Sequence, residues 1–560
     1  MSGHVAPGIS AARAVSRANE GPRCWTGPWH LGQETLALLA ALYLTVSANA
    51  TFFRAVASTG AFDGAAGIGF ALALFVAILA LNGLLLLLVV TRWTARPLLA
   101  LLFVVSACAS YYMWQYRVYL DADMIRNILH TDRKEAGELL SLAALPWILV
   151  FGVLPALALW RVQLKPRTLK RACLLRLSAI AATLLAAVLA IGSVYQPLAS
   201  LMRNHREVRY LVTPGNYLVS LVTVLKRQRA DGPKAPLGTG AKVVGKPVSA
   251  KPRLLLMVVG ETVRAQNWGL NGYARQTTPQ LARVDGLVNF ANVTACGSST
   301  EVSLPCMFSS IGRRDYDAGR ISRSEGLLHV LEHAGIHTLW RDNQSGCKGV
   351  CDASKVESFA ETQLPGVCGS EGCMDEAMLH NLMQRVEQQP GDMVVVLHQM
   401  GSHGPAYYKR YPKRLEQFRP VCATEDLAKC SREEIVNTYD NSVLHTDDFV
   451  AQAIRLLSGV TSRDTALIYV SDHGESLGED GLFLHGVPYA IAPSTQTKVP
   501  MVMWMSDGFM RSRGLDRACL GQLAKRPTSH DNLFHSVLGL MQVSTPEREP
   551  SLDLFGQCAR

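Results

Sequence analysis

Five stretches in the first two hundred residues, 34–55, 65–91, 97–116, 142–160 and 174–195, are apolar for close to the thickness of a bilayer. Roughly 20 such residues cross the hydrocarbon core. A buried helix of a soluble protein seldom stays apolar on all faces for that length. The pattern therefore predicts five transmembrane helices, and it confines any soluble domain to the remaining chain. Beyond Lys251 the composition turns ordinary, with charges and turn residues throughout.

Basic residues set the expected orientation. Arg13, Arg17 and Arg23 precede the first span, Arg92 and Arg96 separate the second from the third, and Arg161, Lys165, Arg167, Lys170 and Arg171 separate the fourth from the fifth. The positive-inside rule makes those segments cytoplasmic, so five crossings place everything after Tyr195 outside the cytoplasm. The amino terminus is long and polar and shows no cleavable signal, which leaves the first span as the export signal. The net charge of +10 is partly this topology signal and does not argue for nucleic acid. Expected domains are a cytoplasmic arm (1–33), a five-helix membrane domain (34–195), a connector and linker (196–250) and an external catalytic domain (251–560).

Ten of the thirteen cysteines fall in the external part. Eight form close pairs: Cys296/Cys306, Cys347/Cys351, Cys368/Cys373 and Cys422/Cys430. An oxidising compartment permits short loops closed this way. Zinc is the rival reading of such spacings, but no pair has histidines at finger distance. Cys519 and Cys558 are candidates for a fifth bridge; Cys24, Cys108 and Cys173 are expected free.

Between the third and fourth spans, Asn127, Thr131 and Glu135 recur every four residues, so on a helix they share one polar face. That face suits a lipid headgroup, with Glu135 meeting an ammonium, and equally suits a solvated amphipathic helix. Residues 227–248, rich in Lys, Gly and Pro without apolar periodicity, read as a linker. From Lys251, apolar strands at 254–259, 337–341, 393–398, 466–470 and 499–504 alternate with helical segments, which predicts an α/β sheet.

Polar residues follow those strand ends, the edge where open α/β sheets build their sites. The first strand leads into Glu261, and the fourth into Asp472 and His473. These three form an oxygen and nitrogen set for zinc that leaves a position for a reacting oxygen. Thr300 supplies that oxygen, from a small-residue loop between Cys296 and Cys306 that opens a helix. A helix start offers N–H donors and a positive dipole end to a phosphoryl group. A metal there would lower the pKa of the Thr300 hydroxyl. His403, His485 and Lys348 are candidates to surround a phosphate and protonate a leaving alkoxide. His398, closing an apolar strand, reads as a buried structural histidine.

Taken together, Gly260-Glu261, Cys296-Gly297-Ser298-Ser299-Thr300, Ser303-Leu304-Pro305-Cys306-Met307-Phe308, Ser402-His403-Gly404-Pro405 and Ser471-Asp472-His473-Gly474-Glu475-Ser476 closely resemble the phosphoethanolamine transferases of Gram-negative bacteria. The resemblance extends over nearly the whole chain, through Asn437–Asn441 and Ser529-His530-Asp531-Asn532, and its first two hundred residues are similar to the lipid A group. It implies an alkaline-phosphatase or sulfatase type of periplasmic domain on an inner-membrane anchor, with catalytic zinc held by Glu261, Thr300, Asp472 and His473 and sometimes a second zinc. It implies that Thr300 attacks phosphatidylethanolamine, releases diacylglycerol and carries a phosphoethanolamine adduct, with Lys348, His403 and His485 around the transferred group. Asn127, Thr131 and Glu135 would then belong to the donor headgroup site. Lipid A is the expected acceptor, with lipopolysaccharide core sugars or membrane-derived glucans as alternatives and a sulfatase-like hydrolase as a further one. Added phosphoethanolamine offsets negative charge, so reduced sensitivity to cationic peptides such as polymyxin is expected, as is a monomer. One local departure is Ser298-Ser299 before the threonine, where the family carries Gly-Thr followed by Ser or Ala.

Overall fold

The computed structural model describes residues 29–131, 136–137, 142–229, 232–244, 251–359, 362, 364–369 and 372–559. Its amino-terminal half is a bundle of apolar helices: α1 (Gln33–Ala48), α2 (Ala50–Ala57), α3 (Gly64–Val89) and α4 (Ala95–Tyr116), then, after the short amphipathic α5 (Ala122–His130), α6 (Ala144–Arg161), α7 (Leu169–Ser193) and α8 (Gly215–Arg229). Four of these are long and apolar enough to cross a membrane, and the pair α1 and α2, bent by 52°, makes a fifth candidate. Leucines such as Leu72, Leu88, Leu174 and Leu177 stand more than half exposed, as a lipid-facing surface requires.

The first predicted span is thus broken, and Asn49 is where it breaks. Asn49 is fully buried; its Nδ2 donates to the carbonyls of Leu44 (3.0 Å) and Thr213 (2.8 Å), and its Oδ1 accepts from the Thr213 N–H (2.9 Å). A side chain that occupies a helical carbonyl and recruits a distant backbone group replaces the ladder it interrupts.

The polar half contains an eight-stranded sheet. In chain order its strands are β1 (Arg253–Gly260), β2 (Val288–Thr294), β3 (His337–Asp342), β4 (Lys355–Ser358), β5 (Met393–His398), β6 (Asp464–Ser471), β7 (Lys498–Met505) and β8 (Thr528–Ser529). Their spatial order is β8-β2-β7-β6-β1-β5-β3-β4. The central strands β6, β1, β5 and β3 are parallel, whereas β7 runs antiparallel to both β6 and β2. All eight residues of β1 and all eight of β6 are buried, which explains their near-continuous apolar runs. Helices pack on both faces, including α9 (Thr300–Met307), α10 (Arg432–Ser458) and α11 (Asp531–Leu540). The five predicted strands are present; β2 escaped notice because Asn289 and Asn292 interrupt its apolar alternation.

One local expectation is corrected and another gains detail. Within the expected linker, residues 232–244 pack on the polar half: Lys242–Val243 pairs antiparallel with Val543–Ser544, and the Leu237 N–H donates to Glu325 (2.9 Å). The helix expected to carry Asn127, Thr131 and Glu135 on one face ends at His130. Thr131 is extended, and its hydroxyl donates to the Asn127 carbonyl at 2.8 Å, closing the last turn in place of a further backbone bond. Glu135 lies outside the described residues.

The ten cysteines from Cys296 to Cys558 are joined in pairs, Cys296–Cys306, Cys347–Cys351, Cys368–Cys373, Cys422–Cys430 and Cys519–Cys558. Cys108 and Cys173 are free thiols, and Cys24 lies outside the described residues.

Candidate active site

The site forms where β1 and β6, adjacent and in parallel register, release their chains at the same sheet edge. Beyond Gly260 the chain presents Glu261; beyond Ser471 it presents Asp472 and His473, and all three are completely buried. The backbone must pass closely here: a Cβ on Gly260 would sit 2.5 Å from the Tyr469 hydroxyl, and one on Gly401 would sit 2.7 Å from the Glu261 carbonyl. Gly401 also has φ of +53°, which favours glycine.

Thr300 is the first residue of α9 and 7% exposed. Its hydroxyl lies 3.1 and 3.0 Å from the two Glu261 carboxylate oxygens and 3.2 Å from His473 Nε2. The His473 ring is oriented by its other nitrogen, Nδ1, which donates to the Gly474 carbonyl at 2.9 Å. That turns Nε2 towards Glu261 (3.3 Å) and Asp472 (3.4 Å). Asp472 Oδ1 accepts from the N–H groups of Thr262 (3.1 Å) and His473 (2.7 Å). Its Oδ2 is buried without a hydrogen-bond partner.

Electrostatics follow from this crowding. Burial opposes ionisation of Glu261, yet the hydrogen bond and charge of His473, with His403 and His485 behind it, hold its carboxyl well below the usual range. Burial, then the neighbouring Glu261 charge, pushes Asp472 up to about 6. Burial disfavours the His473 imidazolium, but Asp472 and Glu261 overcome it and raise the group to about 10. Two buried carboxylates are therefore balanced by a single imidazole. The orphaned Asp472 Oδ2, and ligand atoms of Glu261, Asp472 and His473 all within 4.8 Å of one another, fit a divalent cation. The oxygen and nitrogen donor set suits zinc.

Around this centre the structure gathers His403 and His485, whose rings lie 5.6 Å apart, with His485 4.5 Å from His473. Glu475, unassigned in the sequence, organises this second layer: its carboxylate accepts from His485 Nδ1 (2.8 Å) and from the Tyr407 hydroxyl (2.6 Å). His473, Glu475 and His485 form a second group able to hold a cation. Lys348 has φ of 50° inside the Cys347–Cys351 loop, and its Nζ donates to Ser345 Oγ (3.0 Å). It borders a cavity of about 570 Å³ that Glu301 and Val302 also line. Asn127 borders a separate cavity, beside Ser298 and Ser299. His398 is fully buried, with Nδ1 2.8 Å from Asp342, outside this cluster.

Two further residues hold the Thr300 loop. Glu301, 5% exposed, meets His130 Nδ1 at 3.1 and 3.2 Å and Arg126 at 3.8 Å, so α5 of the membrane half is bonded to the residue after the hydroxyl. His530 is fully buried; its Nδ1 accepts from the Cys296 N–H (3.1 Å) and faces Ser303 Oγ (3.3 Å), while Nε2 donates to the Ser471 carbonyl (3.0 Å). One neutral imidazole thus ties the loop and α9 to the turn carrying Asp472 and His473. Neither residue has a signal in the linear sequence beyond its presence in a motif.

Burial pushes the His530 imidazole down to about 3, the Ser471 hydrogen bond only partly opposing it. On acidification the unfolded chain takes up a proton near pH 6.5 and the folded domain does not. Stability present above pH 6.5 is therefore lost as pH falls towards 3, at about 1.4 kcal/mol per pH unit. The urea midpoint of the catalytic domain in the full chain should fall less steeply between pH 6.5 and 4 in His530→Asn than in wild type. Equal slopes would show that His530 does not carry this term.

The chain matches two family models: the sulfatase family over residues 253–543, and the amino-terminal domain of the EptA/EptB phosphoethanolamine transferases over residues 78–229. It is 38% identical over 528 residues to phosphoethanolamine transferase EptA of Escherichia coli K12, covering 93% of this chain and 96% of that protein. It is 40% identical over 484 residues to phosphatidylethanolamine transferase Mcr-1 of Escherichia coli, covering 84% and 89%. The solved structure of the integral membrane lipooligosaccharide phosphoethanolamine transferase A of Neisseria meningitidis superposes with a TM-score of 0.91 at 38% identity, covering 95% of this chain and all of that one.

Proposed function

We propose that this chain, which belongs to the phosphoethanolamine transferase family, transfers phosphoethanolamine from phosphatidylethanolamine to lipid A through an adduct on Thr300. The observation that carries the reading is the Thr300 hydroxyl, held at a helix start between the Glu261 carboxylate and His473 Nε2. Such a group is a nucleophile with its acceptor and its orienting imidazole already in place.

Glu261, Asp472, His473 and Thr300 would hold zinc, which when bound lowers the pKa of the hydroxyl and polarises a phosphoryl oxygen. Glu261 orients the Thr300 hydroxyl by accepting its hydrogen bond. In the first step the Thr300 hydroxyl passes its proton to Glu261, its oxygen bonds to the donor phosphorus and the bond to the glycerol oxygen breaks. His403 and His485 supply N–H donors to the phosphoryl oxygens and a proton to the departing alkoxide, giving diacylglycerol. Glu475 fixes His485 for that task through Nδ1. In the second step an acceptor oxygen bonds to the adduct phosphorus, the bond from phosphorus to the Thr300 oxygen breaks, that oxygen recovers its proton from Glu261, and the imidazole that protonated the diacylglycerol takes the acceptor's proton. Two bulky lipids then use one nucleophile in turn. Lys348 adds a cation beside the loop, and Asn127 and Thr131 meet the donor headgroup.

The reading places the chain in the inner membrane with residues 1–33 cytoplasmic and 251–560 periplasmic, working as a monomer. Phosphoethanolamine brings an ammonium to an anionic lipid, so polymyxin and related cationic peptides bind the modified surface less. Mass spectrometry of lipid A from cells with and without the chain tests this directly. Lipid A should gain the mass of one phosphoethanolamine only when the chain is present. Unmodified lipid A with continued diacylglycerol release would move the acceptor to core sugars or glucans.

A further inference from the structure

Gln496 lies in the short turn Ser494–Thr497 that leads into β7, and it is completely buried. Its Nε2 donates to the Leu484 carbonyl (3.0 Å) and to Ser476 Oγ (3.0 Å), and its Oε1 accepts from the Val487 N–H (3.2 Å). Its backbone carbonyl accepts from the Gly474 N–H at 3.0 Å. One residue thus spans two segments, 474–476, which follows His473, and 484–487, which carries His485. The two are pressed together: a Cβ on Gly474 would sit 2.1 Å from the Thr495 carbonyl oxygen.

The turn so held is a strained one. Leu484 has φ of 62° and Gly486 φ of 86°, on either side of His485. A leucine in the left-handed region costs free energy and persists only where its surroundings over-determine the backbone. Gln496 supplies that restraint from one side. Ser298 of the Thr300 loop supplies it from the other: its carbonyl accepts from the Gly486 N–H (2.7 Å), and its hydroxyl donates to the Val487 carbonyl (2.5 Å). Glu475 therefore sets the direction of the His485 ring through Nδ1, while Gln496 and Ser298 set where the ring is carried.

We propose that Gln496 is a positioning residue for the transfer, holding the His485 turn against the Thr300 loop so that the imidazole protonates the departing glycerol oxygen. The assignment rests on the transfer reading and adds to it the group that places the acid. In the step so served, the Thr300 oxygen bonds to the donor phosphorus and the bond from phosphorus to the glycerol oxygen breaks. The proton on His485 Nε2 passes to that oxygen, and the imidazole is left neutral with Nδ1 still on Glu475. An acid displaced by about 1 Å loses much of its effect, so a slack turn slows this step without weakening donor binding.

The test uses the full chain in mixed micelles and follows the first turnover with two donors. One is phosphatidylethanolamine; the other is p-nitrophenyl phosphoethanolamine, a phosphodiester whose nitrophenolate leaves without taking a proton. Gln496→Met keeps the packing and removes the three side-chain hydrogen bonds, so it should slow diacylglycerol release by about 10-fold or more. The phosphatidylethanolamine concentration for half-maximal rate should not change, and nitrophenolate release should fall by about 2-fold or less. In a His485→Ala background the same substitution should cost nothing further, since the two act as one unit. Amide exchange in the peptide containing Gly486 and Val487 should quicken in Gln496→Met. Ser476→Ala, which deletes one hydroxyl and no packing, carries the test with a smaller loss of the same selectivity if Gln496→Met fails to fold. Equal loss with both donors, or full additivity with His485→Ala, would make Gln496 a general prop of the fold and overturn the proposal. A wild type that neither releases diacylglycerol nor modifies lipid A would overturn the transfer reading itself, a separate outcome.

Discussion

Thr300→Ala will abolish transfer to lipid A and release of diacylglycerol together, by roughly 10⁴-fold or more, the scale on which loss of a covalent nucleophile is felt. Both steps fail because the first forms the bond that the second breaks. Folding should survive. Among the described residues the Thr300 hydroxyl bonds only to Glu261 and His473, and those two still face each other at 3.3 Å without it. The loop keeps its Cys296–Cys306 bridge and its His530 anchor. Peptide mass spectrometry of wild type quenched with donor alone should show phosphoethanolamine on the peptide containing Thr300, and Thr300→Ser should retain a measurable fraction of activity. Residual diacylglycerol release above about 1% in the alanine variant would make water or another side chain the attacking group.

Removal of metal is the second large effect. Chelation should silence the enzyme, and zinc should restore it. Ligand-linked stability should fall as well, by about 2.7 kcal/mol where free zinc had stood at 100 times its dissociation constant. The metal-free protein should also acquire a pH dependence. Its His473 is raised to about 10 between Asp472 and Glu261, so its stabilising contribution is complete below pH 6.5 and disappears as pH rises towards 10. Asp472, raised to about 6, acts in the opposite sense and over a lower window: its ionisation costs stability between pH 3.8 and 6 and adds nothing further above. Between pH 7 and 9 the chelated protein should therefore lose thermal stability with rising pH, and the zinc-loaded protein should not show that slope. Identical melting curves with and without chelator would sink the metal assignment.

What the linear sequence disclosed was whatever a strand end carries. Glu261, Asp472 and His473 were visible because an apolar run stops and a charged residue follows within one or two positions. Thr300 was visible because two cysteines and a proline mark its loop. The groups that hold those residues in place were not visible, because each acts across a long gap in the chain. Glu475 stands in the same motif as His473, yet its partners are His485 and Tyr407. Asn49 looks like one polar residue in an apolar span until the Thr213 backbone meets it. The helix expected to run on to Glu135 illustrates the converse: spacing alone proposed a shared face, and a threonine hydroxyl closing its own turn ended the helix first. Glu301 meets His130 and Arg126 only after the two halves dock.

That docking has a practical consequence for any study of the catalytic half in isolation. Glu301, adjacent to Thr300, draws its imidazole and guanidinium partners, His130 and Arg126, from α5, outside the fragment such studies would produce. Cutting the chain at the linker would hand this carboxylate to water and to whatever cation the buffer provides. The field at the Thr300 oxygen would then become a property of the solution. Rates obtained on such a fragment should depend on ionic strength in a way the intact protein does not. Inhibitors ranked on the fragment would be ranked against a different charge.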